Sequence, residues 1–169
     1  ATPTHINLYT ARINSLIDYL ADGLLVSGDL AISAGDATKF KTTAISALTI
    51  GGLGYTKAAT DSLTFTAADT INTAAEAGDF FGIWLVQIDN TGTITTKSPA
   101  ADQTYATDAS ALAALPAADA GNIAMGYILI GANTGASWTA NADDMTPGSD
   151  CASAAFVDAT LKTLPAKLA

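Results

Sequence analysis

The chain is poor in the side chains on which active sites, metal centres and nucleic-acid grooves are usually built. Its 169 residues include one histidine, one cysteine, one arginine and one glutamate, and only seven basic residues stand against sixteen acidic ones. His5 is the only imidazole, so a catalytic triad or a histidine metal site would lack partners. Cys151 has no second cysteine to pair with, which excludes an intrachain disulfide and fits a reducing compartment. A net charge of -9 repels phosphate backbones, and the basic residues are scattered rather than gathered in a stripe, so no nucleic-acid partner is expected. Apolar runs stop at about ten residues, whereas crossing a bilayer as a helix takes ~20, so no membrane association is expected. The opening Ala1-Thr2-Pro3-Thr4-His5 shows neither a basic n-region nor an apolar h-region, which predicts no signal peptide and a trimmed initiator methionine.

What the chain does have is 36 alanines, 24 threonines, 15 aspartates and an apolar fraction of 49%. This composition suits a β-rich body with short side chains on its surface. A chain of this length buries roughly 70% of its extended surface, enough for one self-standing core. The predicted fold is mainly β, an antiparallel β-sandwich or barrel with an N-terminal amphipathic helix and one short helix between strands. Three parts follow: residues 1–28 as an arm and helix, 29–155 as the β-rich domain, and 156–169 as a tail that begins as a strand and goes on as a docking arm.

Short alternating runs divided by Gly and Asp predict strands at Leu30 to Ser33, Lys39 to Ile50, Gly54 to Lys57 and Leu63 to Thr66, with turns at Gly51-Gly52 and Ala59 to Ser62. Phe80 to Lys97 reads as a hairpin. Its first strand, Phe81 to Ile88, is apolar on both faces and so should be central; Asp89-Asn90-Thr91-Gly92 turns the chain, and Thr93 to Thr96 returns nearer the surface. A helix from Asp108 to Leu115, capped by Asp108 and stopped by Pro116, precedes a buried strand from Asn122 to Gly131.

The segment from Ile6 to Leu25 carries Ile6, Tyr9, Ile13, Leu16 and Leu20 at three- and four-residue spacing, which predicts an amphipathic helix ended by Gly23 and Gly28. Those five residues are the candidate oligomer or capsid interface. The spacing is that of a coiled-coil seam, and a helix of this size is marginal alone, so the stripe must pack on something: the chain's own β domain or further copies. Ile17 widens the stripe and leaves both open.

No catalytic, cofactor-binding or metal-binding residue is assigned. Asp143-Asp144 and the Asp89 turn bring oxygens together, but neither has the alternating acids and terminal glutamate of a calcium loop. Gly51-Gly52-Leu53-Gly54 lacks the lysine-serine pair of a phosphate cradle. Glu76 and the dispersed aspartates form no recognisable glycosidase pair. Cys151 reads as a small buried residue, and Trp84 and Trp138 as core rather than a sugar platform.

From Gly82 to Thr146 the order of pieces is informative. Ile83-Trp84-Leu85-Val86-Gln87-Ile88 precedes Asp89-Asn90-Thr91-Gly92; then come Ala111-Leu112-Ala113-Ala114-Leu115-Pro116, Ile123-Ala124-Met125-Gly126-Tyr127-Ile128-Leu129-Ile130, and Trp138-Thr139-Ala140. This order resembles structural proteins of tailed bacteriophages and prophages, of the head decoration, cement or head-fibre type. After Trp138 the chain departs from that pattern, with Asn141 to Thr146 where such proteins tend to carry Gly-Thr-Thr. The resemblance implies a virion protein on the outer capsid surface, made in the host cytoplasm, that binds the major capsid protein and itself as a homotrimer and clamps capsomers without a cofactor. An adhesive or receptor-binding fibre module, with exposed loops near Tyr105 and Trp138, is the alternative. A hydrolase using Asp143 or Asp144 is a further one.

Overall fold

In the computed structural model, residues 22–24, 26–72 and 80–159 are described. The protein is mainly β; the described residues form several small sheets with one short helix between strands. The largest sheet contains β8 (Phe80–Ile88), β9 (Ile94–Lys97), β11 (Ile123–Ala132) and β13 (Cys151–Asp158) in the order β13-β11-β8-β9, antiparallel throughout. Two three-stranded antiparallel sheets accompany it. One is β1 (Gly23–Leu24), β4 (Ile45–Ile50) and β5 (Leu53–Lys57) in the order β1-β4-β5; the other is β2 (Leu30–Ile32), β3 (Phe40–Thr42) and β6 (Thr60–Leu63) in the order β2-β3-β6. A fourth sheet places β7 (Thr70–Asn72) between β10 (Asp102–Gln103) and β12 (Ser137–Thr139), with the β10–β7 pair parallel. The described strands form no closed barrel, so the barrel arm of the sequence expectation is set aside.

β8 occupies the central place that its two apolar faces require. Trp84, Val86 and Ile88 enter the main core, while Ile83 and Leu85 are buried outside that cluster, on a strand against which α1 (Asp108–Ala113) and β10 pack. Between β8 and β9, Asp89 accepts the Thr91 and Thr93 amides at 2.8 and 2.9 Å, and Gly92 takes a φ of 82°. Asx chemistry and a glycine in the left-handed region therefore make this turn.

An aromatic cluster occupies the centre of the core. Phe65 lies 5.5 Å from Phe40, 5.4 Å from Trp84 and 5.9 Å from Trp138, ring centre to ring centre, and its approach to both tryptophans is edge-on. Trp84 meets Trp138 at 5.4 Å in the same manner. Such pairs add about 0.5–1.5 kcal/mol each beyond the area they bury. Both indole N–H groups have partners: Trp84 donates to the Asp69 carboxylate at 3.2 Å and Trp138 to the Asp144 carbonyl at 3.0 Å.

Several local expectations are corrected. The run from Lys39 to Ile50 forms two strands, because the chain changes sheets at Thr43, whose amide donates to Gly28 O at 2.7 Å. Ala59 to Ser62 contributes to β6 instead of a turn, and the strand expected through Thr66 stops at Leu63. Gly23–Leu24 pairs with Thr49 and Leu48, so the helix drawn to Leu25 gives way to strand by Gly23; its earlier residues lie outside the described ones. Thr107, not Asp108, caps α1. Its hydroxyl accepts the Ser110 amide while the Ser110 hydroxyl accepts the Thr107 amide, a reciprocal box that leaves Asp108 in the acid-favouring first turn.

Candidate interaction surface

Several of the residues that looked capable of chemistry have structural partners. Cys151 is buried, its sulfur 3.5 Å from Met145 O and 3.4 Å from Ser153 O, and burial pushes its thiol above the ordinary range. Asp143 and Asp144 line an open cleft of about 380 Å³ together with Thr146, Ser149 and Asp150. Within it, the Asp143 carboxylate accepts the Thr139 amide at 2.7 Å and so serves the turn. Among the described residues no group of three or more His, Cys, Asp or Glu side chains is placed to hold a metal ion. The Asp89 carboxyl is held below its ordinary value first by the Thr91 hydroxyl and then by the Thr93 amide.

Gly51 and Gly52 both take positive φ, 60° and 75°, the requirement of a tight hairpin turn between β4 and β5. Trp84 and Trp138 are fully buried, and Tyr105 is half-buried and bridged to Phe81. His5, Glu76 and the five stripe residues Ile6, Tyr9, Ile13, Leu16 and Leu20 lie outside the described residues. Among the described residues no helix is long and apolar enough to cross a membrane.

The first and last described segments are tied into the β body by specific contacts. Asp22 accepts the Gly52 amide at 3.3 Å, at the tip of the β4–β5 hairpin. The following segment runs along β4, with Val26 N donating to Ala47 O at 3.2 Å. A Cβ on Gly28 would stand 2.8 Å from Ile45 and 3.1 Å from Met125, so a side chain there would have to displace Ile45. Leu30 N then donates to the Asp158 carboxylate at 2.9 Å, and Ala159 N donates to Met125 O at 2.8 Å. Met125 on β11 is thus a shared anchor for the first and last described segments.

Large apolar side chains are exposed at four described positions: Leu53 at 62%, Val26 at 40%, Leu112 at 38% and Val157 at 37%. Three of the four lie on or beside the first and last described segments. Leu53 follows the hairpin turn that binds Asp22, Val26 lies on the incoming segment, and Val157 precedes Asp158. Sequence reasoning missed Leu53 and Val157, because each sits singly in a strand of ordinary apolar content and only the fold places it beside the first or last described segment. Comparison with protein-family models, with curated proteins and with solved structures returns no match.

Proposed function

We propose that the chain is a decoration or cement protein of a tailed-phage head, which binds the assembled shell and its own copies, as a trimer, through its two ends. The β-rich body, read as a sandwich, holds those ends in place and does no chemistry. One observation supports the reading: three of the four large apolar side chains exposed among the described residues lie on or beside the first and last described segments. Apolar contact at the middle of an interface with few charges is what a protein clamp needs, and the stripe of Ile6, Tyr9, Ile13, Leu16 and Leu20 lies just before Asp22 in the sequence.

The mechanism is mass action. A ligand that binds only the assembled shell stabilises it by RT ln(1 + [L]/Kd), or ~2.7 kcal/mol per site at a hundredfold excess over Kd, and repeated sites add. The adhesive-fibre alternative draws no support from Trp138, which is fully buried.

Native mass spectrometry of the full chain and sedimentation with expanded, empty heads of tailed phages test the reading. The expected result is a trimer that pellets with heads, and a chain lacking residues 1–21 that does neither. A monomer that remains in the supernatant overturns it.

A further inference from the structure

Met125 is the extra residue of a bulge in β11. Ala124 lies opposite Gln87 and Gly126 opposite Val86, so Met125 has no counterpart on β8, and a residue so placed can be turned toward neighbours that a regular strand would not reach. Met125 uses this freedom twice. Its buried side chain brings Cε to 3.1 Å from where a Cβ on Gly28 would stand, and its carbonyl accepts the Ala159 amide at 2.8 Å. Gly126 meets the same two segments: a Cβ there would strike Val157 O and stand 2.8 Å from Leu30 Cδ1 and 3.0 Å from Asp158 Cα.

Residues 26–30 and 157–159 also hold each other directly, since the Asp158 carboxylate accepts the Leu30 amide at 2.9 Å across 128 positions of chain. Leu30 is buried between them and β11, whereas Val26 and Val157 are exposed. Residues 26–29 belong to no strand. They are fixed to the body where Val26 N donates to Ala47 O at 3.2 Å and Gly28 O accepts the Thr43 amide at 2.7 Å. We propose that 26–30 and 157–159 form one latch, closed over the Met125–Gly126 bulge, so that lifting either segment off the body releases the other.

The coupling follows from shared supports. Lifting 157–159 removes the acceptor of the Leu30 amide and takes away part of the wall around the Leu30 side chain; lifting 26–30 uncovers Met125, whose carbonyl holds Ala159. An amide left without its partner and apolar surface returned to water both cost free energy, so once one segment is out, less holds the other. Openings of this kind occur in cooperative units without unfolding the rest of a domain. By linkage the coupling has the same size in both directions. The open latch sets Leu30 and Met125 beside Val26 and Val157, an apolar surface for a partner that favours the open form. It requires neither a shell nor a trimer.

Amide hydrogen exchange of the full chain tests this with one substitution on each segment, read out on the other. Asp158→Ala should speed exchange of the Val26 and Thr43 amides about tenfold or more. Gly28→Ala, which sets a methyl against Ile45 and Met125, should speed exchange of the Ala159 amide by a similar factor. The Asn133 and Ala140 amides, bonded to Asp150 O and Asp69 O, should keep their rates in both variants. The double variant should accelerate exchange by less than the product of the two single effects. Acceleration confined to the substituted segment overturns the proposal, and so does equal acceleration at Asn133 and Ala140, which signals global unfolding. Should Gly28→Ala not fold, Asp158→Ala, at an exposed position, decides alone.

Discussion

Asn141 closes both bonds of its side-chain amide on the backbone of Phe65, 76 positions away: its oxygen accepts the Phe65 amide at 2.7 Å and its nitrogen donates to the Phe65 carbonyl at 2.9 Å. One side chain thus does for Phe65 what a neighbouring strand would do, and holds the residue whose ring touches Phe40, Trp84 and Trp138. Asn141 also sits at a φ of 67°, a conformation asparagine tolerates better than most residues. Asn141→Ala should therefore cost about 2–3 kcal/mol, from two lost hydrogen bonds and added backbone strain. Asn141→Gly should cost less, since it removes the bonds but not the conformational freedom. Urea unfolding of both variants checks the order.

The pairing of Trp84 with Asp69 predicts a coupled loss. Asp69 is buried, and the indole N–H reaches its carboxylate at 3.2 Å. Trp84→Phe leaves that carboxylate short of a donor and opens a gap in the core, which together should cost about 3–5 kcal/mol. Because the two residues share one interaction, the double variant Trp84→Phe, Asp69→Ala should be less destabilised than the sum of the single changes, by about 1 kcal/mol or more. A double-mutant cycle in urea reads the difference.

How far the sequence could be read follows from the same contacts. β8, the Asp89 turn, β9, the helix after Thr107 and β11 were all legible, because each rests on a local signal: a doubly apolar run, an Asx-Gly turn, a proline stop; the cap itself was misplaced by one residue. β7, β10 and β12 were not. They are two or three residues long, and what fixes them is remote: β7 pairs in parallel with β10 and antiparallel with β12, across more than thirty positions on either side. The part played by Asn141 was hidden for the same reason, since nothing near it in sequence points to Phe65. The interface candidates divide differently. The stripe from Ile6 to Leu20 is a feature of sequence period on residues outside the described ones, whereas Leu53 and Val157 gain meaning only from the fold, which sets them beside the first and last described segments.

Gly82 shows how tightly the sheets meet. A Cβ there would stand 2.7 Å from Ile71 Cγ1 and 2.7 Å from Trp84 Cη2, closer than side-chain carbons approach in a relaxed core. Ile71 and Trp84 are both fully buried, so neither can swing away into solvent. Gly82→Ala should cost about 1–3 kcal/mol by overpacking, even though alanine suits a strand better than glycine. Thermal unfolding followed by near-ultraviolet dichroism would register both the loss and the disturbed Trp84 environment.

Acid should weaken the fold through its surface aspartates. The Asp36 carboxyl is lowered from the ordinary 3.8 to about 2, chiefly by its bond to Lys39, 2.8 Å away, and then by the hydroxyl and amide of Thr38. Asp119 is shifted the same way by Lys97 and Gln87, and Asp61 and Asp89 by their neighbouring hydroxyls and amides. A carboxyl with a depressed folded-state pKa takes up its proton in the unfolded chain first as pH falls. Its contribution is therefore complete above the unfolded value and is lost on the way down through the folded one. The urea midpoint should hold steady above about pH 5 and decline between roughly pH 4 and pH 2. Asp36→Asn should flatten part of that decline while lowering the midpoint at pH 7 only slightly, because an exposed pair is well screened by solvent. Raising salt should shrink the difference between the variant and the natural chain at pH 7. A midpoint that rises on acidification would contradict the assignment of these four carboxyls.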